Sequence, residues 1–394
     1  MFGREPRWGG LIGCNLSDIL VPTPSLIIDQ QTLINNAERA KKHAEDIGLT
    51  FRPHLKTHKS VEIARAQMLS EKGPATVSTM TEARYFAASG VMDLIYAVGI
   101  TPQKLPIVSE IRDTGVDLKI ILDSVEAAEF VSTFCRKNAV YIPCLIEIDC
   151  DGHRSGLKPN DPTIVKIAKT LSDGAVLKGV ITHAGESYHA LTPELMTLAA
   201  ENEAKAINIA ANMIREAGFR CDIVSVGSTP TFFGTKTKPE GITEIRAGVY
   251  LMGDLFMMNK GIHEIEDIAA TVLTSVVGHQ RDKGYVICDA GWMALSQDRS
   301  TARQEIDWGY GLVCDIHGKP LRDLDIRVTS CNQEHGIIQA TSGAPLRPED
   351  FPIGTRLRIM PNHACATLGM HRKYLFLGTD ETIFRVSYPA RGWE

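Results

Sequence analysis

From Leu49 to about residue 250 the chain alternates between short apolar, β-rich runs and longer stretches with helical spacing. The runs fall at 75–78, 94–97, 118–122, 143–148, 176–182, 222–226 and 244–250, and a further short strand is expected just before Lys56. Between them, at 81–88, 124–137 and 193–217, lie stretches with helical patterning. Upstream, 25–28 is an apolar run, and Leu33, Ala37, Ala40, Ala44 and Ile47 then predict an amphipathic helix closed by Gly48. About eight strand–helix units in roughly 200 residues is the size of a small (β/α)8 barrel, a TIM barrel. A doubly wound open sheet would alternate in the same way. The number of units and the lack of a GxGxxG turn after the first strand favour the barrel.

After about residue 255 the rhythm changes. Runs at 269–277, 285–288, 326–329, 336–340, 356–360, 374–377 and 383–386 read as strands separated by turns, with no long helical stretch. The expected organisation is therefore an N-terminal arm (1–22), a barrel (23–255) and a second, all-β domain (256–394). At 394 residues the chain is long enough for two domains. The arm mixes Arg4, Glu5 and Arg7 with glycines and lacks a signal-peptide core.

Composition narrows the function classes. A formal net charge of −5 leaves no basic footprint for nucleic acid. No apolar run approaches the ~20 residues that cross a bilayer, so no membrane partner is expected. The nine cysteines form no CxxC pair, and several, such as Cys144 and Cys288, sit in apolar runs. That usage fits reduced thiols in a cytoplasmic enzyme.

The chemistry gathers at the strand ends, which in a barrel share one rim. Lys56 lies in Phe51-Arg52-Pro53-His54-Leu55-Lys56-Thr57-His58-Lys59, where neighbouring cations disfavour its protonated form. A neutral amine can attack a carbonyl; the plainer reading is a basic strand end that faces solvent or grips an anion. The fifth strand ends in the polar loop 147–156 with Arg154, the sixth in Thr182-His183-Ala184-Gly185 with Tyr188 close behind, and the eighth in Arg246-Ala247-Gly248-Val249-Tyr250. The seventh ends in Gly227-Ser228-Thr229, whose hydroxyls and amides can surround a phosphate. Each has a dull alternative: a structural histidine, an ordinary loop turn, an arginine paired with Asp149 or Asp151. Taken together, an amine, a phosphate cradle, a flat imidazole and an arginine fit a phosphorylated aromatic aldehyde, pyridoxal 5'-phosphate (PLP). In the β domain, Pro361-Asn362-His363-Ala364-Cys365 would place His363 and Cys365 on the same side of an extended segment. Imidazole and thiolate could then share one metal ion and leave positions open for substrate. The turns 332–336 and 289–292 could support that site or merely end strands.

Over nearly its whole length the chain resembles the fold-type III PLP enzymes of the D-threonine aldolase and D-serine dehydratase family, whose barrel is like that of alanine racemase. The resemblance rests on Pro53-His54-Leu55-Lys56-Thr57, Asp151-Gly152-His153-Arg154-Ser155-Gly156, Val226-Gly227-Ser228-Thr229-Pro230-Thr231, Asp289-Ala290-Gly291-Trp292, Asn332-Gln333-Glu334-His335-Gly336 and Pro361 to Thr367. It implies that Lys56 holds PLP covalently, Arg154 faces the pyridine nitrogen and His183 stacks on the ring. It implies further that Tyr188, Gly227, Ser228, Thr229 and Tyr250 surround the phosphate or its approach. His363 and Cys365 match the metal pair of the dehydratase branch; zinc is preferred, with manganese or magnesium as alternatives. Lys59 is given no role. The implied activity is dehydration of a D-3-hydroxy amino acid, of 3-hydroxyaspartate or D-serine type, to a 2-oxo acid and ammonia, in a homodimer. The rivals are aldol cleavage to glycine and an aldehyde, and a non-catalytic PLP carrier.

Overall fold

The structure, a computed structural model, describes residues 8–393. By its contacts the chain forms two units: 38–248 together with the C-terminal stretch from Ala390, and 249–389 together with the residues up to Ala37.

The first strand, β1 (Ser25–Asp29), belongs to the second of these. The next eight build the barrel unit: β2 (Thr50–Phe51), β3 (Ala75–Val77), β4 (Asp93–Gly99), β5 (Asp117–Leu122), β6 (Pro143–Ile148), β7 (Val176–Thr182), β8 (Ile223–Val226) and β9 (Glu244–Ile245). They pair in parallel in the order β2-β9-β8-β7-β6-β5-β4-β3. The ring closes where the chain leaves β2. The His54 amide donates to Ala247 O (2.8 Å) on one side, and Pro53 O accepts the Thr76 amide (2.9 Å) on the other. This is the (β/α)8 barrel read from the alternation, and its likeness to the alanine racemase barrel is what the resemblance implied.

Period-two alternation stacks the lumen in layers. The floor is charged: Arg52 Nε lies 2.9 Å from Glu244, Arg52 Nη1 2.8 Å from Asp93, and Lys119 Nζ 2.8 Å from Asp93. Above it Ile95, Ile121, Leu145 and Ile181 form an apolar plug. Two residues further along each path come Glu147 after Leu145, His183 after Ile181, Gly227 after Ser225 and Arg246 after Glu244, the last three just past the ends of their strands. The plug separates a structural floor from a chemical rim.

The other unit adds β10 (Ala270–Gln280), β11 (Tyr285–Cys288), β12 (Gly311–Cys314), β13 (Ile326–Cys331), β14 (Gly336–Ala340), β15 (Arg356–Pro361), β16 (Tyr374–Leu377) and β17 (Ile383–Ser387). Its sheet runs β11-β14-β13-β12-β15-β10-β1-β16-β17, and β10 also pairs with β11, which closes six strands into a ring. A register shift between Val276 and Gly278 lets one long strand serve both neighbours.

Three expectations need correcting. The barrel does not begin at residue 23: β1 lies antiparallel to β10 and parallel to β16. An apolar run of four is at home in either sheet, so its pattern could not choose. Residues expected to form a loose arm are core: Leu11, Cys14, Leu16 and Val21 pack with Ile27, Leu273, Leu375 and Ile383. The first seven residues of that arm lie outside the described ones. The four-residue β12 was not foreseen, and residues 249–255, expected in the barrel, group with the β unit.

Candidate active site

Lys56 occupies a short 3-10 turn, Leu55–Thr57, directly beyond the point where the ring closes, and its side chain is exposed. His54 Nδ1 accepts the Lys56 amide (3.4 Å). Burial, followed by the charges of Lys56, Arg246 and His183, pushes the His54 imidazole well below its ordinary value. His183 behaves similarly: burial first, then the Lys56 charge, lowers it to about 3. Its Nδ1 lies 3.1 Å from Gly227 O, so Nδ1 carries the proton of a neutral ring. The Tyr188 ring is tilted 51° to it at 6.1 Å.

Arg154 is half exposed; its Nη2 lies 3.7 Å from Glu147, not from Asp149 or Asp151. Those two aspartates build the loop instead. Asp149 Oδ1 accepts the Gly152 amide (2.6 Å), and Asp151 accepts the amides of His153 (3.2 Å) and Glu186 (2.8 Å). Burial raises Glu147 above the usual carboxylate range, opposed by Ser155 and Arg154.

The Gly227 turn is tightly held. Gly227 has φ +137°, and a Cβ there would come within 2.1 Å of Arg246 O. The Ser228 hydroxyl caps the helix Thr229–Gly234 and lies 2.7 Å from Ser187 Oγ. The Ser228 amide donates to Thr231 Oγ1 (3.0 Å), so the amide expected to face a phosphate is already engaged. Thr229 is buried, and its Oγ1 accepts the Gly248 amide (3.4 Å). Tyr250 falls in the other unit, fully buried, with its phenol raised well above its ordinary value by that burial.

The sequence reading missed Glu203 and gave Arg246 a place at a strand end but no role. Glu203, on the buried side of the helix Pro193–Glu216, accepts the amides of Ala184 (3.2 Å) and Gly227 (2.9 Å), joining the turns after β7 and β8. Arg246 reaches Ser225 Oγ (2.8 Å) and the carbonyl oxygens of Thr182 and Gly227. An acid among the alanines of an amphipathic helix was a visible signal for Glu203. An exposed amine, two imidazoles kept neutral and guanidinium groups at one rim make a donor set suited to a flat, anionic carbonyl compound.

His363 and Cys365 are not on an extended segment. His363 is the N-cap of the helix Ala364–Met370, and Cys365 lies in its first turn. The start of this helix is fixed from afar: buried Asp254 accepts the Ala364 amide (2.8 Å). The two side chains nonetheless meet. Burial opposes a charge on His363, but hydrogen bonds to Asp298 and Cys365 hold the imidazole well above its ordinary value. Asp298 Oδ2 lies 2.7 Å from His363 Nδ1, which leaves Nε2 for another partner. An imidazole and a thiol in contact, with a carboxylate orienting the ring, fit two ligands of a divalent metal. Among the described residues no group of three or more His, Cys, Asp or Glu could hold a metal by itself. The 332–336 turn instead docks on the 291–293 turn, where Asn332 O accepts the Trp292 amide (3.0 Å). Asp289 ties strands, accepting Thr23 Oγ1 (2.6 Å) and Thr274 Oγ1 (2.7 Å).

Residues 28–255 match the family model for the alanine racemase N-terminal domain, and 269–377 match a serine dehydratase domain. The chain is 45% identical to D-threo-3-hydroxyaspartate dehydratase of Delftia sp. (strain HT23), over 93% of this chain and 96% of that one. It is 27% identical to D-serine dehydratase of Dictyostelium discoideum, over 94% and 97% respectively. The solved structure of the Delftia sp. HT23 enzyme superposes with a TM-score of 0.92 at 44% identity, covering 96% of this chain and 100% of that one. A cysteine-to-alanine variant of a D-threo-3-hydroxyaspartate dehydratase has been solved in a metal-free form.

Proposed function

Since the chain belongs to the family of D-threo-3-hydroxyaspartate dehydratase and D-serine dehydratase, built on the alanine racemase N-terminal domain, we propose that it is a PLP- and divalent-metal-dependent lyase converting D-3-hydroxy amino acids to a 2-oxo acid and ammonia. What carries this reading is the presence in one chain of an exposed rim amine flanked by two neutral imidazoles, and of an imidazole–thiol pair steadied by a carboxylate. When bound, PLP supplies the electron demand that acidifies the α-carbon, and the metal supplies Lewis acidity to a poor leaving group.

The remaining work falls to this chain's side chains. Lys56 would hold the cofactor, and its amine would take the α-proton of the substrate. His183, neutral and hydrogen-bonded to Gly227 O, offers a flat face without competing for protons. Arg154 presents N–H donors to the ring nitrogen. The Gly227-Ser228-Thr229 turn, with Tyr188, would meet the phosphate and its approach, although the Ser228 amide is engaged by Thr231. His363 and Cys365 hold the metal, with thiolate favouring zinc over manganese or magnesium. Asp298 keeps His363 in the tautomer that leaves Nε2 free to ligate.

The substrate is a small D-amino acid, and the working form is taken to be a homodimer in the cytoplasm. The nine free cysteines accord with the cytoplasm, and no described helix is long and apolar enough to cross a membrane. The deciding assay incubates the protein with D-serine, D-threonine and D-3-hydroxyaspartate, with and without chelator. Ammonia with a 2-oxo acid, lost on chelation and restored by zinc, is expected. Glycine with an aldehyde would make it an aldolase, and no product from any of the three would leave a PLP carrier.

A further inference from the structure

Lys56 sits between two residues that are tied to the same short piece of chain. Upstream, His54 Nε2 lies 3.3 Å from Ser78 Oγ. Downstream, Lys59 Nζ lies 2.9 Å from Glu82 Oε1, and the Glu82 side chain is fully buried. The other Glu82 oxygen accepts the Ser78 amide (3.0 Å), and Thr79 Oγ1 donates to Oε1 (3.3 Å). The start of the helix Met80–Ala88 therefore grips the turn carrying Lys56 from both flanks.

Lys59 itself adopts φ +54°. That left-handed conformation is unfavourable for a residue with a Cβ, and glycine would adopt it freely. Its amide closes the turn on Leu55 O (2.9 Å), and its carbonyl accepts the Ala390 amide (2.7 Å) of the C-terminal stretch. A lysine kept where glycine is the easier choice, with its ammonium on a buried carboxylate, indicates that the side chain is needed there.

We propose that the Lys59–Glu82 ion pair is a positioning device that sets the direction of the Lys56 amine toward the carbonyl it captures. This rests on the reading that Lys56 holds PLP. Neither residue is among those assigned to hold the cofactor; both act through the turn. Without the pair the turn keeps its backbone closure on Leu55 but loses its anchor to residues 78–82. The amine then samples more directions, and capture slows.

The test follows the rate at which added PLP is captured by the apo-protein, read from the change in cofactor absorbance. Lys59→Gly is the informative variant because it removes the ion pair while relieving the backbone. Capture by Lys59→Gly and by Glu82→Gln is expected to slow at least about tenfold, as misplaced reacting groups do, and Lys59→Arg is expected to restore most of the rate. A merely structural role would lower the melting temperature of Lys59→Gly without slowing capture at a temperature where it stays folded. Wild-type capture rates in both Lys59→Gly and Glu82→Gln would overturn the proposal. Lys56→Ala separates the two readings. If it still captures PLP, the assignment of Lys56 falls and this inference with it. If it does not, while Lys59→Gly captures normally, only the ion-pair role falls.

Discussion

Single side chains at the rim differ in how they are kept ready. The His183 imidazole, lowered to about 3 by burial and by the Lys56 charge, stays neutral over the whole working range. His183→Phe should therefore lose less activity than His183→Ala. The acid limb of its kcat/KM profile above about pH 5 should not move, since no proton on that ring is titrating there. A shifted limb would mean that the ring carries a catalytic proton. Asp298→Asn should weaken metal binding by about 10- to 100-fold in a chelator competition, because the amide no longer draws His363 Nδ1–H as the carboxylate does. Lys56, His183, Gly227 and the His363–Cys365 pair were visible in the sequence because each sits at or near a strand end or in a short dense motif. Asp298 was not, as it reaches His363 across 65 positions of chain from a loop with no pattern. Glu82 was hidden for a related reason. An acid in the first turn of a helix is unremarkable until its partner is seen to be the lysine three residues past Lys56.

Among the elements, the strands around the barrel were legible because a buried parallel strand leaves a short apolar run bounded by turns. What the runs could not disclose was the charged floor. Arg52 and Glu244 are both nearly buried, and breaking such a pair costs about 3–5 kcal/mol, so Glu244→Gln should lower the denaturation midpoint by a corresponding amount. Asp93 adds a pH dependence. Burial pulls its carboxyl upward, but hydrogen bonds and charge from Arg52 and Lys119 hold it below the ordinary value. The folded chain thus binds that proton less readily than the unfolded chain. The stability from this contact is complete above the ordinary carboxylate value, near pH ~4, and is lost as pH falls through the folded value. Urea melts at pH 6 and pH 3 should show a smaller drop for Asp93→Asn than for the wild type. At the rim, Gly227→Ala should lose both cofactor binding and thermal stability, since its Cβ would collide with Arg246 O. Gly152→Ala, at φ +78° with open space around it, should show only the cost of its own backbone. The segment 361–367 was misread as extended because local pattern was the only guide. Alanine favours helix, and the Asp254 carboxylate, more than a hundred positions away, fixes where the helix begins.

For the molecule as a whole, the existence of an alternating unit followed by an all-β unit was plain in the rhythm of the chain, and the assignment of the residues before Glu38 to the β unit was not. Ile27 is fully buried in a cluster drawn from residues 11–27, 273 and 375–383. Ile27→Ala should cost about 2–5 kcal/mol, and the loss should appear in the β unit that carries His363 while the barrel's rim amine still reacts with PLP. Light scattering on the purified protein tests the homodimer, with twice the 43.2 kDa chain mass expected. The placement of β1 between β10 and β16 has a further consequence during synthesis. Its two neighbours are translated only after residue 270 and residue 374, so the strand leaves the ribosome early and has nothing to join. The barrel can condense as an island while this sticky ribbon trails upstream of it, open to adhesion with other nascent chains until β10, and then β16, has been made.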